Sequence, residues 1–147
     1  MTKLGACRDA VEWAARYKTP QAAWDACENG SWMLWLCGKV SGPPDSPSRR
    51  KLVLVAAECA EPSLHLIADE DRRAICEATI QTCYAYAHGE ATLDDVRSAD
   101  AAAAADAAAA AYAADAYADA ADRKQMQHRC ADIVRKHYQK VPNWGDK

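Results

Sequence analysis

Of the twenty-three residues 99–121, seventeen are alanine. Alanine is the strongest helix former, so a tract of this kind favours a helix over any other regular structure. Asp106, Asp115, Asp119, Tyr112 and Tyr117 dot the tract and make it too polar to lie inside a bilayer. The tract also drains the rest of the chain of ordinary core material. There are 34 alanines in all, no phenylalanine, and only 19 residues of Leu, Ile and Val together. Bulk must come instead from five tryptophans, six tyrosines and seven cysteines. With 147 residues and a net charge of −3, this describes one ordered helical domain. It disfavours an all-β fold, a disulfide-rich mini-protein and a membrane span. The chain also lacks the excess of positive charge that a nucleic-acid binder carries.

Punctuation along the chain sets the expected elements. A first helix is expected over 6–18, with Cys7, Ala10, Val11, Ala14 and Tyr17 on one face and Trp13 beside them. Thr19-Pro20 caps and opens a second helix over 20–28, with Ala23, Trp24 and Cys27 inward. Asn29-Gly30 reads as its left-handed stop, and Ser31 as the cap of a third short helix over 32–37 that Gly38 ends. The segment Trp32-Met33-Leu34-Trp35-Leu36 is apolar on every side, so it is either buried or meets a partner. Residues 41–47 form the one clear loop, rich in Pro, Gly and Ser. Ser48 is the expected cap of a fourth helix over 49–61, with Leu52, Val55, Ala56 and Cys59 on its stripe and Pro62 as its break. The fifth runs over 69–88 to Gly89, with Cys76, Ile80, Cys83 and Ala87 inward. Thr92 and Asp95 approximate a capping box that opens one long helix over 93–140, ended by Pro142. Along it Asp115, Asp119 and Asp122 share a polar stripe whose phase continues onto Met126, Ile133 and His137. The expected organisation is a single domain over 1–147: a packed body at 6–90, the alanine-aspartate helix at 92–140 and a tail at 141–147.

The chemistry-bearing residues do not assemble into a familiar site. Charges at Lys3, Arg8, Asp9 and Glu12 interrupt the N-terminal stretch, so it does not read as a signal peptide and the expected compartment is the cytoplasm. The cysteines are odd in number and sit in helical contexts, which reads as reduced packing thiols. Their spacing to one another and to the four histidines lacks close ligand pairs for zinc, so neither metal nor cofactor is expected. No strand-turn-helix elbow or glycine-rich loop accompanies any Cys, Ser or His, and no glycine precedes a Lys-Ser or Lys-Thr pair, so no catalytic residue is assigned. The basic runs at 49–51 and 135–140 read as solvated helix ends, not as a nucleic-acid face. Asp106, Asp115, Asp119 and Asp122, with Tyr112 and Tyr117, make an acidic, tyrosine-dotted helix face; these six are the candidate partner-binding residues.

Five segments carry a resemblance. Ala-Val-Glu-Trp-Ala-Ala-Arg-Tyr (10–17), Ala-Ala-Trp-Asp-Ala-Cys (22–27) and Gly-Ser-Trp-Met-Leu-Trp-Leu (30–36) are followed by Arg-Arg-Lys-Leu-Val-Leu-Val-Ala-Ala-Glu-Cys-Ala (49–60) and Cys-Ala-Asp-Ile-Val-Arg-Lys-His-Tyr (130–138). In this order they resemble the Imm-five-like immunity proteins, small helical proteins of bacteria, phages and prophages, over roughly 6–140. The resemblance implies a non-catalytic protein that neutralises another protein by binding it. Its phage association implies a second class of target, a host antiviral effector such as a nuclease complex. It assigns no contact residue. The Pro62-Ser63 break and the sparse tyrosines of the alanine tract depart from the family pattern.

The reading is therefore an all-α bundle of about five or six helices with a long alanine-rich C-terminal helix. Its expected function is an immunity- or anti-defence-type inhibitor, not an enzyme, whose partner is a protein and neither nucleic acid nor membrane. Two rivals come from other classes: a module that dimerises through the alanine tract, and a small enzyme using a Cys–His pair.

Overall fold

The computed structural model describes residues 4–99 and 120–143, and every regular element among them is helical. These are α1 Arg8–Ala14, α2 Pro20–Ala26, α3 Gly30–Val40, α4 Pro47–Ala60, a 3-10 turn Glu61–Leu66, α5 Glu70–His88, a helical stretch at 93–99 (α6), and α7 Ala120–His137. The protein is all-α. No described helix is long and apolar enough to cross a membrane.

Local capping explains most boundaries. Thr19 accepts a hydrogen bond from the Ala22 amide and Pro20 opens α2. Asp69 caps α5 through the Arg72 amide, and Gly89 closes it at φ 85°, the left-handed conformation that a side chain disfavours. Thr92 and Asp95 bond reciprocally, Asp95 accepting from the Thr92 amide at 2.8 Å and donating its own amide to Thr92 Oγ1 at 3.2 Å. This is the capping box that opens α6. The Thr92 hydroxyl, donating to the Asp95 carboxylate at 2.7 Å, and then the Thr92 amide hold that carboxyl below the usual carboxylate range.

Several expected boundaries move, each for a physical reason. Asn29-Gly30 does not stop α2: Cys27 ends it in an extended conformation, and Asn29 instead caps α3 by accepting from the Trp32 amide. Ser31 is not the cap, and α3 runs through Gly38 to Val40. The cap of α4 is Ser46, not Ser48, because Pro47 takes the first helical position. Helix α1 stops at Ala14, and the chain continues through tight turns in which the Arg16 and Tyr17 amides reach Trp13 and Ala14. Cys7, expected on the buried stripe, is exposed. Helix α7 ends at His137, short of Pro142, and Ala131 and Val134 are its fully buried residues, not Ile133 or His137. Residues 100–119, the centre of the expected long helix, lie outside the described residues.

The chain divides into two compact units, residues 1–41 with 127–147, and residues 42–126. The boundaries at 41 and 126 cut across the division at residue 90 that composition suggests. In the first unit the core is Ala10, Ala23, Trp24, Cys27, Met33, Leu36, Cys37, Ala131 and Val134. Here Gly30 lets α3 meet α7 at close range: a Cβ at this position would lie 2.3 Å from Cys130 Cβ. The junction is tied by Gln127, whose amide accepts from the Ser31 amide at 3.1 Å and donates to Ser31 Oγ at 2.9 Å. Arg135 of α7 completes it by donating to the Cys27 carbonyl and to Asp132.

In the second unit Val55, Ala57, Cys59, Ile80 and Tyr86 are buried, and α4 packs along α5. Tyr86 is fully buried although it lies off the expected α5 stripe. Its hydroxyl accepts from the Asp45 amide at 3.1 Å, and the Arg50 guanidinium lies 4.5 Å over its ring. Arg50 also donates to the Tyr86 carbonyl and pairs with Asp45 at 3.0 Å.

Candidate functional site

Of the six residues assigned to partner binding, Asp106, Tyr112, Asp115, Tyr117 and Asp119 lie outside the described residues. Asp122 is exposed on the first turn of α7. A concave feature among the described residues lies elsewhere, in the first unit. Helices α1, α2 and α3, with Val141, enclose a cleft of about 340 Å³.

Sequence and packing explain its shape. Because α1 ends at Ala14, the turn over 15–18 leads into Thr19-Pro20 and opens space between α1 and α2. Trp24, Cys27, Met33 and Leu36 line its base and are almost wholly buried. The walls are aromatic: Tyr17, Trp13 and Trp32 are half-buried and form a chain of ring contacts. Centroids are 4.9 Å apart for Trp13–Tyr17 and 5.8 Å for Trp13–Trp32, with both pairs tilted. Such tilted pairs satisfy the ring quadrupoles and hold the walls in place. Lys18 is the charged side chain among the lining residues, and it is exposed at the mouth.

The base is fixed by hydrogen bonds from chain far away in sequence. Trp24 Nε1 donates to the Tyr138 carbonyl at 2.8 Å. The Gln21 side-chain amide donates to the Gln139 carbonyl at 3.2 Å and accepts from the Val141 amide at 2.9 Å. These contacts satisfy the Tyr138 and Gln139 carbonyls and the Val141 amide beyond the end of α7, and they bring Val141 to the cleft.

Titratable groups around the cleft are set for inertness. Burial pushes the Cys27 thiol up, against an opposing contribution from its bond to the Asn29 carbonyl. A raised thiol pKa lowers the thiolate fraction and weakens the nucleophile. Burial likewise pushes the Tyr138 phenol up to about 12. In the second unit the Tyr84 phenol reaches about 12 through burial and its hydrogen bond to Glu61. Both tyrosines should therefore stay neutral at pH 11 in the folded protein, where ordinary tyrosines, with a pKa of roughly 10, have ionised. The sign follows from linkage: above pH 10 the unfolded chain releases these protons and the folded chain keeps them, so stability falls as pH rises. An ultraviolet titration of the phenolates, native against denatured, reads both effects. A native curve that matches the denatured one would contradict them.

Among the described residues no group of three His, Cys, Asp or Glu side chains is placed to hold a metal ion. His128 lies between two carboxylates, Nε2 3.3 Å from Glu28 and Nδ1 3.7 Å from Asp132. These contacts use opposite ring nitrogens, so the trio links α7 to the α2–α3 junction and does not converge on one point. The Asp132 carboxyl sits below its usual range, chiefly through the hydrogen bond from Arg135.

No protein-family model, no curated protein and no solved structure matches this chain. The cleft residues were visible in the sequence only as bulk. Among them the apolar segment 32–36, read as either buried or meeting a partner, supplies a wall through Trp32 and base through Met33 and Leu36.

Proposed function

We propose that the protein is a non-enzymatic inhibitor of the immunity or anti-defence kind, which binds a protein, a toxin or a host antiviral effector, and neutralises it by occlusion. The observation that carries this reading is the aromatic cleft of the first unit. Tryptophan and tyrosine side chains that are half-exposed, pre-packed against one another and backed by a buried base are the composition of interface hot spots. The lining holds one cysteine, Cys27, and no histidine, and burial pushes that thiol up, which fits a packing role in this cleft. The resemblance to Imm-five-like immunity proteins points the same way.

The test is capture with a built-in control. Tagged protein and the double variant Trp13→Ala/Trp32→Ala are each exposed to lysate of a bacterium and its phage. The retained protein is identified, and its activity is then assayed with purified components. The expected result is a partner retained at fixed stoichiometry and inhibited by the wild type. Its affinity should fall roughly 30-fold or more in the double variant, the scale of losing hot-spot residues of about 2 kcal/mol. Turnover of a small molecule by the protein alone, with no inhibited partner, would overturn the reading.

A further inference from the structure

The geometry points to an acidic partner segment carrying one large apolar anchor as the occupant of the aromatic cleft. This rests on the occlusion reading and specifies its chemistry. Size and lining favour a side-chain anchor. A cleft of about 340 Å³ is at the small end of the roughly 300–1,000 Å³ range of ligand sites, so it takes one or two large side chains, not an extended element. Its base and walls are Trp24, Met33, Leu36, Trp13, Tyr17 and Trp32, which offer apolar area to an anchor.

Charge favours acidic flanks. Sequence places ten Lys and Arg against six Asp and Glu in the unit that holds the cleft, and eight against fifteen in the other. One of these cations is at the cleft itself: Lys18 is the charged side chain of the lining and is exposed at the mouth, and Arg16 is exposed two positions before it in the chain. Neither makes an ion pair among the described residues. The neighbouring cations differ: Arg8 is paired with Glu12 at 3.5 Å, and Lys39 lies 5.6 Å over the Trp35 ring. A cation at the mouth of an apolar cleft, with no ion pair among the described residues, selects carboxylates that flank the anchor. It steers their approach and disfavours a basic segment bearing the same anchor.

Three synthetic twelve-residue peptides test this by calorimetry and by fluorescence of the protein's own tryptophans. The first places Leu-Phe-Leu at the centre of Glu and Asp. The second keeps that centre and replaces every acid by Lys. The third keeps the acids and replaces the centre by Ser. The first peptide should bind at least tenfold more tightly than either other, and lose most of that margin between 50 and 500 mM salt. Lys18→Glu, an exposed change that leaves the melting temperature in place, should weaken it at least fivefold and favour the second peptide. Trp32→Ala should abolish binding. The inference is overturned if the first peptide does not bind, if the second or third binds as well, or if Lys18→Glu changes nothing. It is also overturned if binding needs removal of residues 144–147, or if a concentration-dependent dimer sensitive to Trp32→Ala excludes the peptide, because the occupant is then the chain itself. Partner capture that is lost in the tryptophan variants but indifferent to peptide charge overturns this inference alone and leaves occlusion standing.

Discussion

Gly30→Val unfolds the unit that carries the cleft. Gly30 is buried at the start of α3, and a Cβ there would lie 2.3 Å from Cys130 Cβ, 2.8 Å from the Ala131 nitrogen and 2.9 Å from the Cys130 carbonyl carbon. Two of those three atoms are backbone, so no rotamer change relieves the overlap and α3 and α7 must separate. Separation strains the Ser31–Gln127 pairing, the Arg135 bond to the Cys27 carbonyl and the burial of Ala131 and Val134 together. Overpacking a tight core costs about 1–3 kcal/mol and occasionally more. Even Gly30→Ala should fall within that range, because the gain in helix propensity from glycine to alanine, about 1 kcal/mol, is smallest at the first helical position. Valine adds two more carbons to the same contact and should cost about twice as much, a large part of a total stability of about 5–15 kcal/mol. The expected melting temperatures are about 5–10 °C lower for alanine, and for valine no cooperative transition in tryptophan fluorescence. Trp13, Trp24, Trp32 and Trp35 all belong to this unit, so that signal reports on it directly. A valine variant that melts with the wild type would show that α3 and α7 do not approach this closely.

That contact also marks the limit of what the sequence discloses. Elements whose ends are fixed by neighbours in the chain were legible. Thr19-Pro20 opens α2, Asp69 and Gly89 bracket α5, and Thr92 with Asp95 opens α6. Elements whose ends are fixed across a hundred residues were not. Asn29-Gly30 has the composition of a helix stop, yet Gly30 is needed for its missing side chain opposite Cys130, and Asn29 becomes a cap. Helix α7 stops at His137, and the chain beyond it is held by Trp24 and Gln21, which bond the carbonyls of residues 138 and 139. The candidate site follows the same rule. Tryptophans spread over 13–35 read as core bulk, because nothing local says that Trp13 and Trp32 face one another while Trp24 forms the base beneath them. The acidic tract drew attention through its composition, whereas a cleft is a property of chain ends meeting.

Tyr86→Ala should be the most damaging single change in the second unit, at about 3–5 kcal/mol, the usual cost of deleting a buried aromatic side chain. The ring is fully buried, and three different contacts depend on it. It lies wholly inside the unit's core, its face carries the Arg50 guanidinium, and its hydroxyl accepts from the Asp45 amide. Asp45 holds a φ of 65°, a left-handed conformation that a non-glycine residue keeps only when its surroundings enforce it. Two of those enforcing contacts, the hydroxyl and Arg50, run through Tyr86. The loop before α4 is thus positioned by a residue of α5, and the two parts of the cost can be separated. Tyr86→Phe keeps the ring and the Arg50 stacking but leaves the Asp45 amide without its acceptor, so it should cost about 1 kcal/mol. Asp45→Gly relieves the strained φ while deleting the ion pair with Arg50, which is more than half exposed on the aspartate side and worth at most about 1 kcal/mol. In the Tyr86→Phe background, where the hydroxyl no longer holds the loop, Asp45→Gly should be less costly than in the wild type. Urea unfolding of the four proteins measures the coupling. Strict additivity would mean that the hydroxyl does not hold Asp45 in place, and that the loop conformation is set by Pro43, Pro44 and Ser46 alone.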